Sequence, residues 1–232
     1  MQMNTQREQM IHTWLQTVLH SEQFEVSFLA GDASFRRYAR IKLQNKTYML
    51  MDAPPEKEDC IPFVNIDEFF DQHGVRVPHI VAKDLTLGLL LLEDFGDVVL
   101  STLLDDTTVD QYYAQSFKQL IELQQIDGQA HLPAYSYEKL MTEMRLLTDW
   151  LLPSLNIQPT EQQLETIEQA FDFLALAALN QPQVIVHRDF HSRNLMKIDN
   201  EQELGVIDFQ DAVIGADTYD LISITRDAYV QW

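Results

Sequence analysis

Val184-Ile185-Val186-His187-Arg188-Asp189-Phe190-His191-Ser192-Arg193-Asn194-Leu195-Met196, then after a polar bridge Leu204-Gly205-Val206-Ile207-Asp208-Phe209-Gln210-Asp211, is the stretch that decides the fold. An apolar strand over Val184 to Val186 ends in a loop that offers a carboxylate at Asp189 and, five residues on, a carboxamide at Asn194. A second apolar strand, Leu204 to Ile207, delivers another carboxylate at Asp208, 19 positions after the first. The bridge carries the turn formers Asp199-Asn200-Glu201, so the two strands read as neighbours joined by a short connection. A plainer reading, two buried strands that end in solvated acids, stays open at this level.

This segment resembles the catalytic segment of kinase-fold phosphotransferases. In that chemistry one Asp takes the acceptor hydroxyl's proton, while an Asn and a later Asp hold the magnesium ions that neutralise the phosphates. Asp189, Asn194 and Asp208 fall into those roles in chain order. The triplet Asp94-Phe95-Gly96 matches the metal-binding triplet of protein kinases by letter, but it precedes Asp189, and the metal acid must follow the catalytic loop. Leu89 to Leu92 with Glu93-Asp94-Phe95 reads instead as the last strand of a small lobe running into an interlobe hinge. There the backbone groups of Glu93 to Phe95 would face an adenine edge.

The chain has 232 residues, 46% of them apolar, which suits one two-lobed domain. Apolar residues at helical spacing (Met10, Ile11, Trp14, Leu15, Val18, Leu19) predict a helix over 5–19. Strands are expected over 25–29, 35–43, 47–51, 79–83 and 89–92, with one helix over 62–72: a five-stranded sheet with a single helix. Beyond the hinge the pattern turns helical over 107–126, 136–151 and 160–179, and after the catalytic strands again over 218–229. Trp14, Trp150 and the Leu and Met positions of these helices are expected in the core.

The formal charge is −20, from 36 acids against 16 bases, which argues against nucleic-acid or anionic-membrane partners. Five of the 16 bases, Arg36, Arg37, Arg40, Lys42 and Lys46, nevertheless fall in the acid-free stretch 34–46. They follow the small-residue turn Gly31-Asp32-Ala33-Ser34, a hairpin tip able to close over phosphates through its amides. A solvated basic strand face is the alternative. The single cysteine, Cys60, excludes an internal disulfide and a multi-cysteine zinc site. Met1 to Arg7 is polar and there is no run of 18 apolar residues, so a cytoplasmic protein is expected.

With these residues in hand the chain is similar to the aminoglycoside phosphotransferase and choline kinase family, and within it to the branch of anomeric N-acetylmuramate/N-acetylglucosamine kinases of cell-wall sugar recycling. The blocks that carry the similarity are Gly31 to Tyr38, Met51 to Pro55, Leu90 to Asp94, His187 to Met196, Ile207 to Ala212 and Thr218 to Leu221. The resemblance implies an α+β, two-lobed protein-kinase-like fold: a small antiparallel-sheet N-lobe over 1–95 and a mainly helical C-lobe over 96–232. Relatives run on past Asp220 with further helices at the acceptor pocket, which this sequence lacks before Trp232. The resemblance also implies ATP and Mg2+ as cofactors and a small-molecule amino sugar as substrate. It gives Asp189 as base, Asn194 and Asp208 as metal ligands, and Ser34, Phe35, Arg36, Arg37, Glu93, Asp94 and Phe95 around the nucleotide. His191, Arg193 and Asp211 fall at the substrate, with His187 and Asp220 supporting the loop.

One departure from protein kinases stands out. The third strand, Thr47-Tyr48-Met49-Leu50-Met51, contains no lysine to grip the phosphates, so the grip is expected from Arg36, Arg37 and the amides of Asp32 to Phe35 or, less directly, from Lys46. An aminoglycoside or other small-molecule hydroxyl kinase, and an inactive nucleotide-binding relative, are the competing functional readings.

Overall fold

The computed structural model describes residues 3–29, 35–199 and 201–231. The expected hairpin tip, Gly31 to Ser34, and Asn200 lie outside them. The chain divides into two compact units, residues 1–98 with 196–210, and residues 99–195 with 211–232.

The first unit is built on a five-stranded antiparallel sheet in the order β1-β2-β3-β5-β4. Its strands are β1 (Glu25–Phe28), β2 (Arg37–Leu43), β3 (Lys46–Asp52), β4 (Ile80–Asp84) and β5 (Leu89–Glu93). β2 and β3 pair from Arg37↔Asp52 to Leu43↔Lys46, joined by the turn Gln44-Asn45 with Gln44 at φ 55°. Leu89 to Leu92 are all buried because β5 lies inside the sheet, flanked by β3 and β4. Helix α1 (Met3–Leu19) lays Ile11, Trp14 and Leu15 on the sheet face formed by Ala39, Ile41, Leu50, Leu89 and Leu91. Helical period meets strand alternation in one core.

Helix α2 (Ile61–Gln72) buries Phe63, Val64, Ile66, Phe69 and Phe70. The Phe63 and Phe70 rings stand 5.0 and 5.9 Å from Phe209, so the segment that carries Asp208 is anchored in the same unit. β7 (Leu195–Lys197) and β8 (Leu204–Val206) form a two-stranded sheet. Further ties are the Lys197 N–H to Val98 O, 2.8 Å, and the Val206 N–H to Arg76 O, 2.7 Å.

The second unit is mainly helical: α3 (Val109–Gln124), α4 (Tyr137–Met144), a short α5 (Leu152–Ser154), α6 (Glu161–Leu179) and α7 (Tyr219–Thr225). Thr160 and Gln163 close a capping box on α6. β6 (Gln183–Val186) pairs antiparallel with β9 (Val213–Ala216), and Tyr135, Val186 and Val213 pack as one cluster. Met141 of α4 meets Phe171 and Ala175 of α6 in a second cluster. β6 thus launches the loop bearing Asp189, and β9 leads into α7 bearing Asp220.

Three expectations change. The helix expected over 136–151 stops at Met144 and passes into a π-helical turn at Leu147–Leu151. Trp150, placed in the core from its sequence, sits on that turn with 73% of its surface exposed, because no buried face runs through it. The last helix ends at Thr225 rather than 229, since Asp227 and Tyr229 are drawn out of helical geometry to contact the catalytic loop.

Candidate active site

In the second unit the loop after β6 folds back on itself. The His191 N–H donates to Asp189 O (2.9 Å), the Asn194 N–H to His191 O (2.9 Å), and the Asn194 side-chain amide to Asp189 O (3.0 Å). Asn194 therefore fixes the backbone of the very residue expected to act as base. Arg188 stands at φ 78°, an uncommon conformation for a residue with a Cβ. Holding it there takes an external anchor. Asp220, fully buried, accepts the N–H of His187 at 2.6 Å and of Arg188 at 3.0 Å. Burial pushes the Asp220 carboxyl up to about 7; the two N–H bonds pull it back, and the neighbouring Asp189 charge raises it further.

Each remaining loop residue has its own contact. His187 is fully buried, its ring 5.9 Å from Phe190 in an edge-on arrangement. The Arg188 guanidinium donates to Glu143 of α4 at 2.6 Å, lies 3.9 Å from Asp211, and stands over the Tyr135 ring. Asp211 is thereby placed beside Arg188. His191 stands edge-on to Tyr229 at 5.0 Å, and the Arg193 guanidinium lies over the same ring, 3.9 Å from its centroid. Asp227 closes the arrangement by accepting the Ser192 N–H and the Tyr229 N–H, each at 2.8 Å. Sequence reasoning missed Asp227 and Tyr229; the only available signal was an Asp seven residues after Asp220, which helical periodicity masked.

In the first unit Asp208 follows β8 at φ 65°, like Arg188 a non-glycine residue in the left-handed region, and accepts from the Gln210 amide at 2.8 Å. Leaving the strand in this strained way turns the chain at the expected metal acid. The basic stretch resolves into separate pairs. Arg36 donates to Glu58 at 2.7 and 3.1 Å. It also touches Tyr38: burial pushes the Tyr38 phenol up, Arg36 opposes this by charge and hydrogen bond, and the Asp208 carboxylate adds to it. Arg36 and Asp208 thus share a neighbour. Arg37 is bound instead to the fully buried Asp52, which also takes Arg7 at 2.7 Å, and that pairing engages it structurally. Phe35 is exposed near Lys57, and Ser34 lies outside the described residues.

The Glu93-Asp94-Phe95 side chains also have defined partners. Glu93 pairs with Arg76, and its N–H is spent on His79 O at 2.9 Å, which removes that group from the expected adenine-facing set. Asp94 takes the Arg40 guanidinium on both oxygens, at 2.7 and 3.0 Å. Phe95 is buried against β8, where a Cβ at position 205 would lie 2.4 Å from its ring; Gly205 is what lets the two approach.

The helix-backed antiparallel sheet of the first unit and the strand-launched catalytic loop of the second are the parts of a kinase-like phosphotransferase fold. The phosphotransferase enzyme family (APH) profile matches residues 25–232, and the chain belongs to that family. It is 40% identical over 204 residues to an N-acetylmuramate/N-acetylglucosamine kinase of Pseudomonas aeruginosa, covering 88% of this chain and 60% of the relative. The protein of the same name from Neisseria meningitidis is 36% identical over 233 residues, 98% of this chain and 69% of the relative. The chain therefore spans about 60% of the length of the Pseudomonas relative.

Among solved structures, the ADP-bound aminoglycoside phosphotransferase APH(2'')-Ib superposes with a TM-score of 0.63 at 18% identity, over 92% of this chain and 74% of that one. A Plasmodium vivax ethanolamine kinase gives 0.63 at 14% identity, over 90% and 61%. These establish the kinase-like fold. No helix among the described residues is long and apolar enough to cross a membrane.

Proposed function

We propose that this protein transfers the γ-phosphoryl group of ATP to the anomeric (C1) hydroxyl of N-acetylmuramate or N-acetylglucosamine, giving the sugar 1-phosphate, as a cytoplasmic step of peptidoglycan recycling. The observation that carries the reading is the 36–40% identity to kinases of those two sugars across a stretch that includes the whole Asp189 loop. Residues 1–95 serve as the nucleotide-binding lobe and 96–232 as the catalytic lobe. The strong negative charge makes nucleic acid and anionic membranes poor partners.

Asp189 orients the acceptor hydroxyl and takes its proton as the new O–P bond forms and the bond to the ADP oxygen breaks. The anomeric hydroxyl is more acidic than an ordinary alcohol, so a modest base is enough. Asp220 and Asn194 keep the Asp189 backbone in place, which matters because a small misplacement of a catalytic group costs orders of magnitude.

By the resemblance, Asn194 and Asp208 would each offer a side-chain oxygen to magnesium. No cluster of three or more His, Cys, Asp or Glu suited to a metal occurs among the described residues. Magnesium takes one or two protein oxygens and completes its shell with phosphate and water. Bound there, magnesium supplies charge neutralisation at the phosphates. Arg36, set between Glu58 and Tyr38, supplies charge at the phosphates, since Lys46 stands at the outer end of β3.

ATP consumption measured against N-acetylmuramate, N-acetylglucosamine, kanamycin and choline tests the reading. Turnover on the two sugars is expected. Turnover confined to kanamycin or choline, or none with any acceptor, sinks it.

A further inference from the structure

Arg193 has an environment unlike that of its neighbours. Apart from Arg226, every other described arginine reaches a carboxylate within 3 Å, as a chain of net charge −20 makes easy. Arg193 has no carboxylate partner among the described residues. Its guanidinium lies over the Tyr229 ring, 3.9 Å from the centroid. Tyr229 is itself pinned, because its N–H and that of Ser192 share the Asp227 carboxylate. The arginine is exposed, four residues after Asp189, in a loop that Asn194 closes back onto Asp189 O.

A guanidinium stacked on an aromatic ring keeps its planar fork of donors available while its stem has already lost much of its rotamer freedom. Such a group is preorganised for a planar, bidentate anion, and a carboxylate matches it best. Arg188, the other loop arginine, is already engaged by Glu143 and Asp211.

We infer that Arg193, held by Tyr229 and Asp227, is the specificity-determining residue that receives the carboxylate of an acidic acceptor sugar. This rests on the sugar-kinase reading above: N-acetylmuramate carries a lactyl carboxylate that N-acetylglucosamine lacks. The contact forms with the bound acceptor and persists through transfer, so its loss raises KM for the acidic sugar more than it lowers kcat.

The test is steady-state kinetics of the full chain on both sugars for the wild type, Arg193→Ala, Arg193→Lys and Tyr229→Leu. The expected result is a fall in the preference ratio, kcat/KM for N-acetylmuramate over that for N-acetylglucosamine, of roughly ten- to a hundred-fold in Arg193→Ala. Arg193→Lys should restore part of the ratio, keeping charge without the fork, and Tyr229→Leu should lower it less than Arg193→Ala. Equal loss on both sugars, or an unchanged ratio, would overturn the assignment while leaving the sugar-kinase reading standing. A wild type inactive on both sugars would remove the reading and this inference together.

Discussion

Asp220 and Asp227 grip one loop at two points: Asp220 takes the N–H groups of His187 and Arg188, and Asp227 takes that of Ser192. Asp220 lies in the first turn of helix α7 and Asp227 just past its end, so a single short helix sets the distance between both anchors of the loop. Asp220→Ala leaves one buried and one part-buried N–H group without an acceptor and is expected to cost about 2–5 kcal/mol of stability. Asp227 is only part-buried, so Asp227→Ala should cost about 1 kcal/mol yet lower turnover by roughly ten- to a hundred-fold through misplacement of Asp189. Urea unfolding alongside turnover checks the pair; wild-type turnover in Asp227→Ala would show that the second anchor is idle.

Asp208 and Asp94 both follow apolar strands, but only Asp208 stands in left-handed geometry after the catalytic loop, whereas Asp94 is closed off by Arg40. Asp208→Ala should weaken nucleotide binding in magnesium and flatten its dependence on the ion. Asp94→Ala should leave that dependence alone and cost about 1–3 kcal/mol, because Arg40 keeps only the exposed Asp97 carboxylate and the Gly96 carbonyl. Magnesium titrations of nucleotide affinity for the two variants decide the matter, and the opposite pattern would reassign the metal acid.

Arg36 and Arg37 are adjacent in sequence and separate in task. Arg36→Ala should weaken ATP more than AMP, since the charge beside Tyr38 and Asp208 is meant for the outer phosphates. Arg37→Ala should lower stability by about 1–3 kcal/mol with ATP and AMP affected alike, because Arg7 is left alone with the buried Asp52. Calorimetric titration with both nucleotides separates the two; equal losses in Arg36→Ala would return it to a structural pair with Glu58.

Asp67 of α2 is 1% exposed, and its Oδ2 has no hydrogen-bond partner among the described residues. Burial pushes its carboxyl up to about 7, helped by Asp71 and Glu68 and opposed by Lys83. The unfolded chain releases this proton near pH 4, whereas the fold keeps it until about pH 7. Over that window the folded state binds more protons, so the Asp67 contribution to stability falls as pH rises. Asp67→Asn should therefore stabilise the protein more at pH 8 than at pH 5, by a few kcal/mol. A Tm shift of the same size at both values would contradict the raised pKa.

The catalytic segment was legible because its chemistry sits at fixed short spacing: His187 to Asn194 and Leu204 to Asp208 need only strand alternation and loop punctuation to be recognised. The five-stranded sheet was legible for the same reason, since β2 and β3 announce themselves through a two-residue turn. Long-range polar pairing was not. Nothing local marks Asp52 as the shared partner of Arg7 and Arg37, 45 and 15 residues away, or pairs Arg36 with Glu58. Asp227 and Tyr229 continued a helical pattern and so read as helix, although contacts with Ser192, His191 and Arg193 pull them out of it. Trp150 failed in the opposite sense: an apolar side chain carries no sign of whether its turn has a face to bury.

Phosphorus NMR of the product formed from ATP and N-acetylmuramate, run beside Asp189→Asn, tests the central claim most directly. The account predicts a sugar 1-phosphate whose phosphorus couples to the anomeric proton. It also predicts at least a ~10²-fold loss of that signal in the variant, with magnesium-ATP binding kept within a few-fold. A phosphate at C6, or turnover within ten-fold of wild type in Asp189→Asn, would contradict it.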